Sequence, residues 1–319
     1  MGKWIILYPE PFGTKRSMIA AATGTIPLQR QVRRMTGTTI EERMGQLRRR
    51  ISGCDQLMVS FSGGVDSGLL AALGKEILGD NLQAVFIDSP LVPRSAVSEA
   101  REMAGLLGIP LGIITVPFPG EIVSRNLPDR CYHCKKSFSE LLRAWADEQG
   151  ISCIADGVTE SDRSEYRPGT RAATEEGIIH PFLEARITKP EIRQLARERG
   201  LPFWDKPSSA CLASRIPYGE ALTRENLHMV EEAEAGLAEA GFAGSRVRNH
   251  GGIARIEVPE ADIPRLVAAR ETIVALVKEA GFSYVTLDLM GYRSGSMDEG
   301  SGSMDEVRGN VAVHGGEGS

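Results

Sequence analysis

The sequence predicts an α/β protein, a doubly wound parallel sheet followed by a small α+β unit. Three observations predict it. Leu57 to Phe61 is an apolar run broken only by Ser60, and it ends in a glycine–serine loop that opens a helical pattern. Strand-like and helix-like stretches then alternate from Leu82 to Val116, the order that builds parallel sheets. Beyond Tyr218 the order changes to helix, strand, strand, helix, strand.

Taken in order, residues 1–37 mix a short apolar stretch, Trp4 to Tyr8, with Gly, Pro and Thr, and show no sustained period. They are read either as an extension of unassigned role or as sequence ahead of a start at Met35. From Thr39, the spacing of Ile40, Met44, Leu47 and Ile51 predicts an amphipathic helix capped by Thr38 or Thr39. Arg30, Arg33, Arg34, Arg43, Arg48, Arg49 and Arg50 crowd this region, and a solvated helix face accounts for them better than a nucleic-acid patch.

Leu57 to Phe61 reads as a strand buried on both faces. Ser62 to Val65 form the turn, where Gly63 and Gly64 allow positive φ and let backbone N–H groups approach an anion. Leu69, Leu70, Leu73 and Ile77 follow at helical spacing, so the loop delivers its ligand to a helix N-terminus that favours negative charge. Ser60, Ser62 and Ser67 add hydroxyl donors, and Asp66 either orients Mg²⁺ or caps the helix. No Lys follows the glycines, which excludes the loop used to transfer a terminal phosphoryl group. Ser62-Gly63-Gly64-Val65-Asp66-Ser67 resembles instead the signature of the PP-loop ATP pyrophosphatases, which implies an adenine nucleotide alpha hydrolase-like fold. The resemblance also implies ATP, held by its β,γ-pyrophosphate while AMP passes to a substrate oxygen.

Leu82 to Asp88 reads as a strand, Arg94 to Leu107 as a helix and Leu111 to Val116 as a strand. Ligands of such sheets lie beyond the strands' carboxyl ends, which places Asp88 and Ser89 beside the adenosine part of the nucleotide, unless Asp88 caps its loop. A Pro/Asn-rich loop then leads to a turn carrying Cys131-x-x-Cys134, with a helix after it at Phe138, Leu141, Leu142 and Trp145. Cys153 to Asp156 reads as a short strand and Asp162 to Gly169 as a polar loop. Thr188-Lys189-Pro190-Glu191 is a capping box that opens a helix through Arg199. Trp204 to Gly219, with small residues and two prolines, reads as an ordered loop that carries function. The second unit reads as a helix from Glu225 to Ala240, strands over Arg246–His250 and Ala254–Val258, a helix from Ile263 to Ala280 and a strand from Tyr284 to Leu289. Gly-Ser-Met-Asp-Glu occurs twice in the tail, which is expected to be disordered. The expected divisions are 1–37, 38–218, 219–290 and 291–319.

With 319 residues, 42% of them hydrophobic, the chain can bury a core in each unit. No apolar run reaches the roughly 20 residues of a membrane span and no clean signal-peptide pattern opens the chain, so a cytoplasmic protein without a membrane partner is expected. The net charge of −5 argues against a nucleic-acid partner. An odd number of cysteines, five, fits thiol or metal chemistry better than a disulfide framework. Cys131, Cys134 and Cys211 suggest a metal or iron–sulfur site, since thiolates suit iron. A structural zinc ion needs a fourth ligand; His133 is poorly placed for it, whereas Cys153 or His180 is a candidate.

Ser62 to Ser67, Tyr166-Arg167-Pro168-Gly169, Ser214-Arg215-Ile216-Pro217-Tyr218-Gly219, Arg246-Val247-Arg248 and Ala254-Arg255-Ile256-Glu257 together resemble the LarE family over residues 38–294. These are the pyridinium-3,5-biscarboxylic acid mononucleotide sulfurtransferases of nickel-pincer cofactor biosynthesis. The resemblance implies that the mononucleotide's carboxylate is adenylated and turned into a thiocarboxylate. One branch of the family gives up its own cysteine sulfur; another holds a 4Fe-4S cluster through three cysteines and uses an external sulfide donor. Here the position aligned with the donated cysteine is Ala210, with Cys211 next to it, and Cys131 and Cys134 match the cluster branch. Resemblance further implies that Arg246 and Arg248 bind the substrate phosphate and that Ser214, Arg215 and Glu234 act at the sulfur-transfer site. From the residues alone, Glu234 is equally a solvated helix position, and Arg246 and Arg248 an exposed strand face. A family acid falls at Arg265, which puts a second-domain divalent-ion site in doubt. A homo-oligomer is implied as well. Three other readings compete: a PP-loop tRNA thiolase, an ammonia-using ligase of the NAD or GMP synthetase kind, and a nucleotide-sensing scaffold without chemistry.

Overall fold

The computed structural model describes residues 4–7, 39–164, 168–207 and 210–293. The rest of the expected extension, Tyr166 and Arg167 of the quoted motif, and the expected tail from 294 onward lie outside the described residues. In chain order the strands are β1 Trp4–Leu7, β2 Leu57–Ser60, β3 Leu82–Asp88, β4 Leu111–Thr115, β5 Cys153–Ala155, β6 Arg246–His250, β7 Ile253–Glu257 and β8 Tyr284–Leu287. The helices are α1 Ile40–Ser52, α2 Val65–Leu78, α3 Arg94–Leu107, α4 Glu121–Ser124, α5 Arg130–Glu148, α6 Pro168–Glu175, α7 Pro181–Glu184, α8 Lys189–Glu198, α9 Arg224–Glu239, α10 Ile263–Ala268 and α11 Arg270–Glu279.

The first sheet runs β1-β4-β3-β2-β5, and the four strands β2 to β5 are parallel. The chain moves outward from β2 through β3 and β4, then returns to lay β5 on the other side of β2. The strand order therefore reverses at β2, and the loop after it opens at the switch point where α/β sheets bind ligands. Alternation along the strands sends Leu57, Val59 and Phe61 into a core with α1, α2, α3 and α8, and Met58 into a second core with Leu142 and Trp145 of α5. Gly112 is needed for that second core, because a Cβ there would stand 3.0 Å from the Trp145 ring.

Trp4 to Leu7, to which no role was assigned, forms an antiparallel edge strand with Trp4 opposite Ile114. Four residues are too few to show a period, and only the open edge of β4 makes them a strand. The expected helix from Ile263 to Ala280 is divided at Ala269, whose N–H is shared between the Arg265 and Leu266 carbonyls. Arg43 is bound to Glu191 and the Arg186 carbonyl, Arg48 pairs with Glu76 and Arg50 with Glu184, so these arginines of the basic stretch tie α1 to its neighbours.

β6, β7 and β8 form the second sheet, antiparallel then parallel, against α9, α10 and α11. Its core also takes in Leu91, Val123, Leu212, Ala213 and Ile216. The loop before residue 218 is therefore packed into the second unit.

Contrary to the expectation of thiol or metal chemistry in place of disulfides, Cys54 and Cys153 form a disulfide. Cys153 opens β5 opposite Leu57 of β2, and Cys54 stands just ahead of β2, so strand pairing brings the two together. No helix among the described residues is long and apolar enough to cross a membrane.

Candidate functional site

The loop after β2 is built as its residue types require. Gly63 takes φ 69° and Gly64 caps α2, whose first intrahelical bond runs from the Gly68 N–H to the Gly64 carbonyl. Ser67 Oγ accepts from the Ser62 N–H at 3.2 Å and contacts Ser62 Oγ at 3.1 Å, closing the loop on the helix start. The first-turn N–H groups of α2 have no partner inside the helix, so the loop presents donors and positive potential together. Ser60 ends β2, half-buried at the foot of the loop.

Asp66 lies inside the first turn of α2, which removes it as the cap; that position is Gly64. One oxygen, Oδ2, is 3.3 Å from Lys189 Nζ, and the other, Oδ1, is buried without a hydrogen-bond partner. Burial raises the Asp66 pKa, partly offset by Lys189. An orphaned carboxylate oxygen beside a loop of anion-directed N–H donors fits a ligand for Mg²⁺. Gly157 closes the far side, so near that a Cβ would lie 2.8 Å from the Ser67 nitrogen. Beside it Asp156 is buried between Lys135 at 3.0 Å and His180 at 2.6 Å. Burial alone would raise the Asp156 pKa, but the Lys135 charge and the His180 hydrogen bond outweigh it and hold it at about 2.

Asp88 ends β3, pairs with Arg94 at 2.6 Å, and lines a cleft of about 300 Å³ with Arg94, Thr115, Arg224 and His228. Ser89 is buried and its hydroxyl accepts from the Leu91 N–H at 3.2 Å, so it faces its own loop.

Cys131 and Cys134 sit in the first turns of α5, not in a turn ahead of a helix. They meet Cys211 around Arg130. Arg130 is buried, bound to Asn126 and, at 3.0 Å, to the Ala213 carbonyl, and its Nη2 lies 3.5 Å from Cys131 Sγ. Burial lowers the Arg130 pKa, but Cys211 and Cys131 raise it overall. Burial, followed by the neighbouring Cys211 and Cys131, pushes the Cys134 thiol up to about 12. All three thiols are half-buried and free. Among the described residues no three His, Cys, Asp or Glu stand close enough to hold a single metal ion. Both alternative zinc ligands are committed elsewhere, Cys153 in its disulfide and His180 between Asp156 and Thr174.

Ser214 and Arg215 lie on the short helical turn Leu212–Arg215. Arg215 is buried, makes two 2.9 Å bonds to Glu234 of α9, and donates to the Ala210 and Cys211 carbonyls and to Ser214 Oγ. Glu234 also accepts from the Val247 N–H at 3.0 Å, so it is engaged and not a solvated helix position. Arg248 is likewise buried, 2.8 Å from Glu257 and 3.0 Å from the Ser214 carbonyl, which excludes an exposed strand face. Arg246 donates to the Gly244 and Ser245 carbonyls and lies over the Tyr292 ring. Burial and then the Arg215 charge lower its pKa, against the opposing pull of Glu234. Arg265 pairs with Asp262 and lies over the Phe242 ring.

The structure thus brings the three cysteines to Arg130, and Arg215, Arg246 and Arg248 to one another. Sequence reasoning did not single out Arg130, Lys135, Asp156, Lys189 or Lys206. Their signals were present only as neighbours: Lys135 follows Cys134, and Lys189 lies in the capping box.

A strand–loop–helix of PP-loop type at a sheet's switch point, in a chain with three free thiols, fits one class of protein, the PP-loop enzymes that use ATP to transfer sulfur. The comparisons agree with it. Over 246 residues, 76% of this chain and 89% of the relative, the chain is 38% identical to the pyridinium-3,5-bisthiocarboxylic acid mononucleotide synthase of Lactiplantibacillus plantarum. It is 37% identical to an uncharacterized Synechocystis protein over 81% of this chain and 98% of the other. A tRNA-specific 2-thiouridylase of Clostridium botulinum is 28% identical over 52% of this chain and 57% of its own. No protein-family model matches the chain. The chain belongs to the LarE family, and it is an ATP-dependent sulfurtransferase with an adenine nucleotide alpha hydrolase-like fold.

Proposed function

We propose that the enzyme adenylates the carboxylates of pyridinium-3,5-biscarboxylic acid mononucleotide and converts them to thiocarboxylates for the nickel-pincer cofactor. A carboxylate oxygen attacks the α-phosphorus of ATP, and pyrophosphate leaves into the loop at Ser62 to Ser67. A sulfide then attacks the acyl carbon and the C–O bond to AMP breaks, leaving a thiocarboxylate. Asp66 would hold Mg²⁺ on the leaving pyrophosphate. Arg246 and Arg248 bind the mononucleotide phosphate, a task for forked guanidinium donors. Arg215, oriented by Glu234, lines the transfer site with Ser214.

The observation that carries this reading is the convergence of Cys131, Cys134 and Cys211 on Arg130. A single ion needs its sulfurs around one centre, whereas a four-iron cluster is a larger body that holds its ligands apart. Cys131, Cys134 and Cys211 would ligate a 4Fe-4S cluster, which supplies an incompletely ligated iron able to carry sulfide from an external donor. Arg130 then balances the negative charge of the thiolates. Protein purified without air is expected to contain iron and sulfide and to release pyrophosphate and AMP only with the mononucleotide. Iron-free protein that leaves dehydroalanine at Cys211 would refute the cluster route, and ATP hydrolysis stimulated by tRNA would favour a tRNA thiolase.

A further inference from the structure

Lys206 stands where none of the steps above needs it. Its ammonium donates to the Gly63 carbonyl at 2.7 Å and pairs with Glu99 of α3 at 2.5 Å. Its own backbone is pinned, since Arg193 of α8 donates to the Trp204 and Lys206 carbonyls at 3.2 and 2.8 Å. The peptide it grips is the one between Gly63 and Gly64. A peptide flanked by two glycines is the least restrained in the loop, because neither side chain limits its rotation. All peptides here are trans, so the carbonyl and the following N–H point in opposite directions. With the Gly63 oxygen drawn toward Lys206, the Gly64 N–H is turned the other way, where it donates a long 3.4 Å bond to Ser62 Oγ, itself 3.1 Å from Ser67 Oγ.

We infer that Lys206 is a positioning residue for the nucleotide step: held by Glu99, it locks the Gly63–Gly64 peptide so that the Gly64 N–H faces the pyrophosphate. The lysine, bound at the carbonyl edge of the peptide, does not touch the phosphate expected at its N–H edge. It spares the loop the cost of ordering when ATP binds. The inference rests on the proposed use of the loop for ATP.

The test is calorimetric titration of the full chain with Mg·ATP, pyrophosphate and AMP. Lys206→Met is expected to weaken ATP and pyrophosphate by about tenfold, the loss of one charge-assisted hydrogen bond. It should leave AMP, which lacks the β,γ-phosphates, nearly unchanged, and Lys206→Arg should recover part of the loss. Glu99→Gln, at a half-exposed site that cannot threaten the fold, is expected to weaken ATP by a smaller factor because its lysine is less firmly held. If Glu99 instead competed with phosphate for a directly binding lysine, the same variant would bind ATP more tightly, and the inference would be overturned. Unchanged ATP binding in Lys206→Met overturns it alone; a wild-type chain that binds neither ATP nor pyrophosphate overturns the functional reading as well.

Discussion

Gly157 is the most exposing position at which to test the nucleotide site. Its φ lies outside the left-handed region, so alanine meets no backbone strain there; the only obstacle is what the new methyl touches. A Cβ would lie 2.8 Å from the Ser67 nitrogen, 3.0 Å from the Asp66 carbonyl carbon and 3.2 Å from the Asp66 Cβ, where ordinary contacts start at 3.4 Å. Two of these are backbone atoms in the first turn of α2 and cannot swing aside. The turn must retreat by about half an ångström, and overpacking of this kind costs about 1–3 kcal/mol. At about 2–4 °C per kcal/mol, Gly157→Ala should melt several degrees below wild type. Ser67 receives the Ser62 N–H, so the retreat also opens the anion cradle. A donor set displaced by this much loses about tenfold in ATP affinity, in line with the sensitivity of positioned groups to sub-ångström errors. Calorimetric ATP titration and scanning calorimetry on the same samples check both parts. An alanine variant that binds ATP within about twofold of wild type and melts within about a degree of it would refute the close approach of the 157 loop to α2.

Glu234→Ala leaves the buried Arg215 without its carboxylate and is expected to destabilise the fold by about 3–5 kcal/mol in urea unfolding, with Glu234→Gln milder because it still accepts from Val247. Asp156 has a folded pKa below its unfolded value, so its contribution is complete above about pH 4 and is lost as pH falls through about 2. Wild type should therefore lose about 2–3 kcal/mol across that window, and Asp156→Asn, less stable at neutral pH, should lack that part of the slope in acid unfolding. The Cys54–Cys153 disulfide closes a separation of 99 residues, for which chain entropy sets a contribution of up to about 5 kcal/mol. Cys54→Ser should lower the urea midpoint and spare ATP binding, since the bond lies at the opposite end of β2 from the loop; a midpoint equal to wild type under non-reducing conditions would refute the staple.

Much of the fold was legible because its signals are local. The capping box Thr188/Glu191 forms as expected, and Thr39, one of the two caps expected for α1, closes a second box with Glu42; each spans only three residues. Gly63 and Gly64 occupy the turn, and the strands and helices from 57 to 115 fall within a residue of their expected ends. Cys131 and Cys134 read as a turn because the apolar helical spacing becomes visible only at Phe138, whereas α5 already begins at Arg130. The buried Leu142 and Trp145 draw the helix back over them.

The sequence by itself determined what closes within a few residues: the strand–loop–helix with its glycines and serines, the helix caps, and the spacing of Cys131 and Cys134. Only the tertiary structure decided which of those residues meet. Cys54 joins Cys153 because β2 and β5 are neighbours, Arg215 finds Glu234 because the 212–215 turn packs under α9, and Lys206 reaches Gly63 across 143 residues. Such pairings depend on how whole elements stack to bury their apolar faces, and no short-range pattern in the chain encodes that choice.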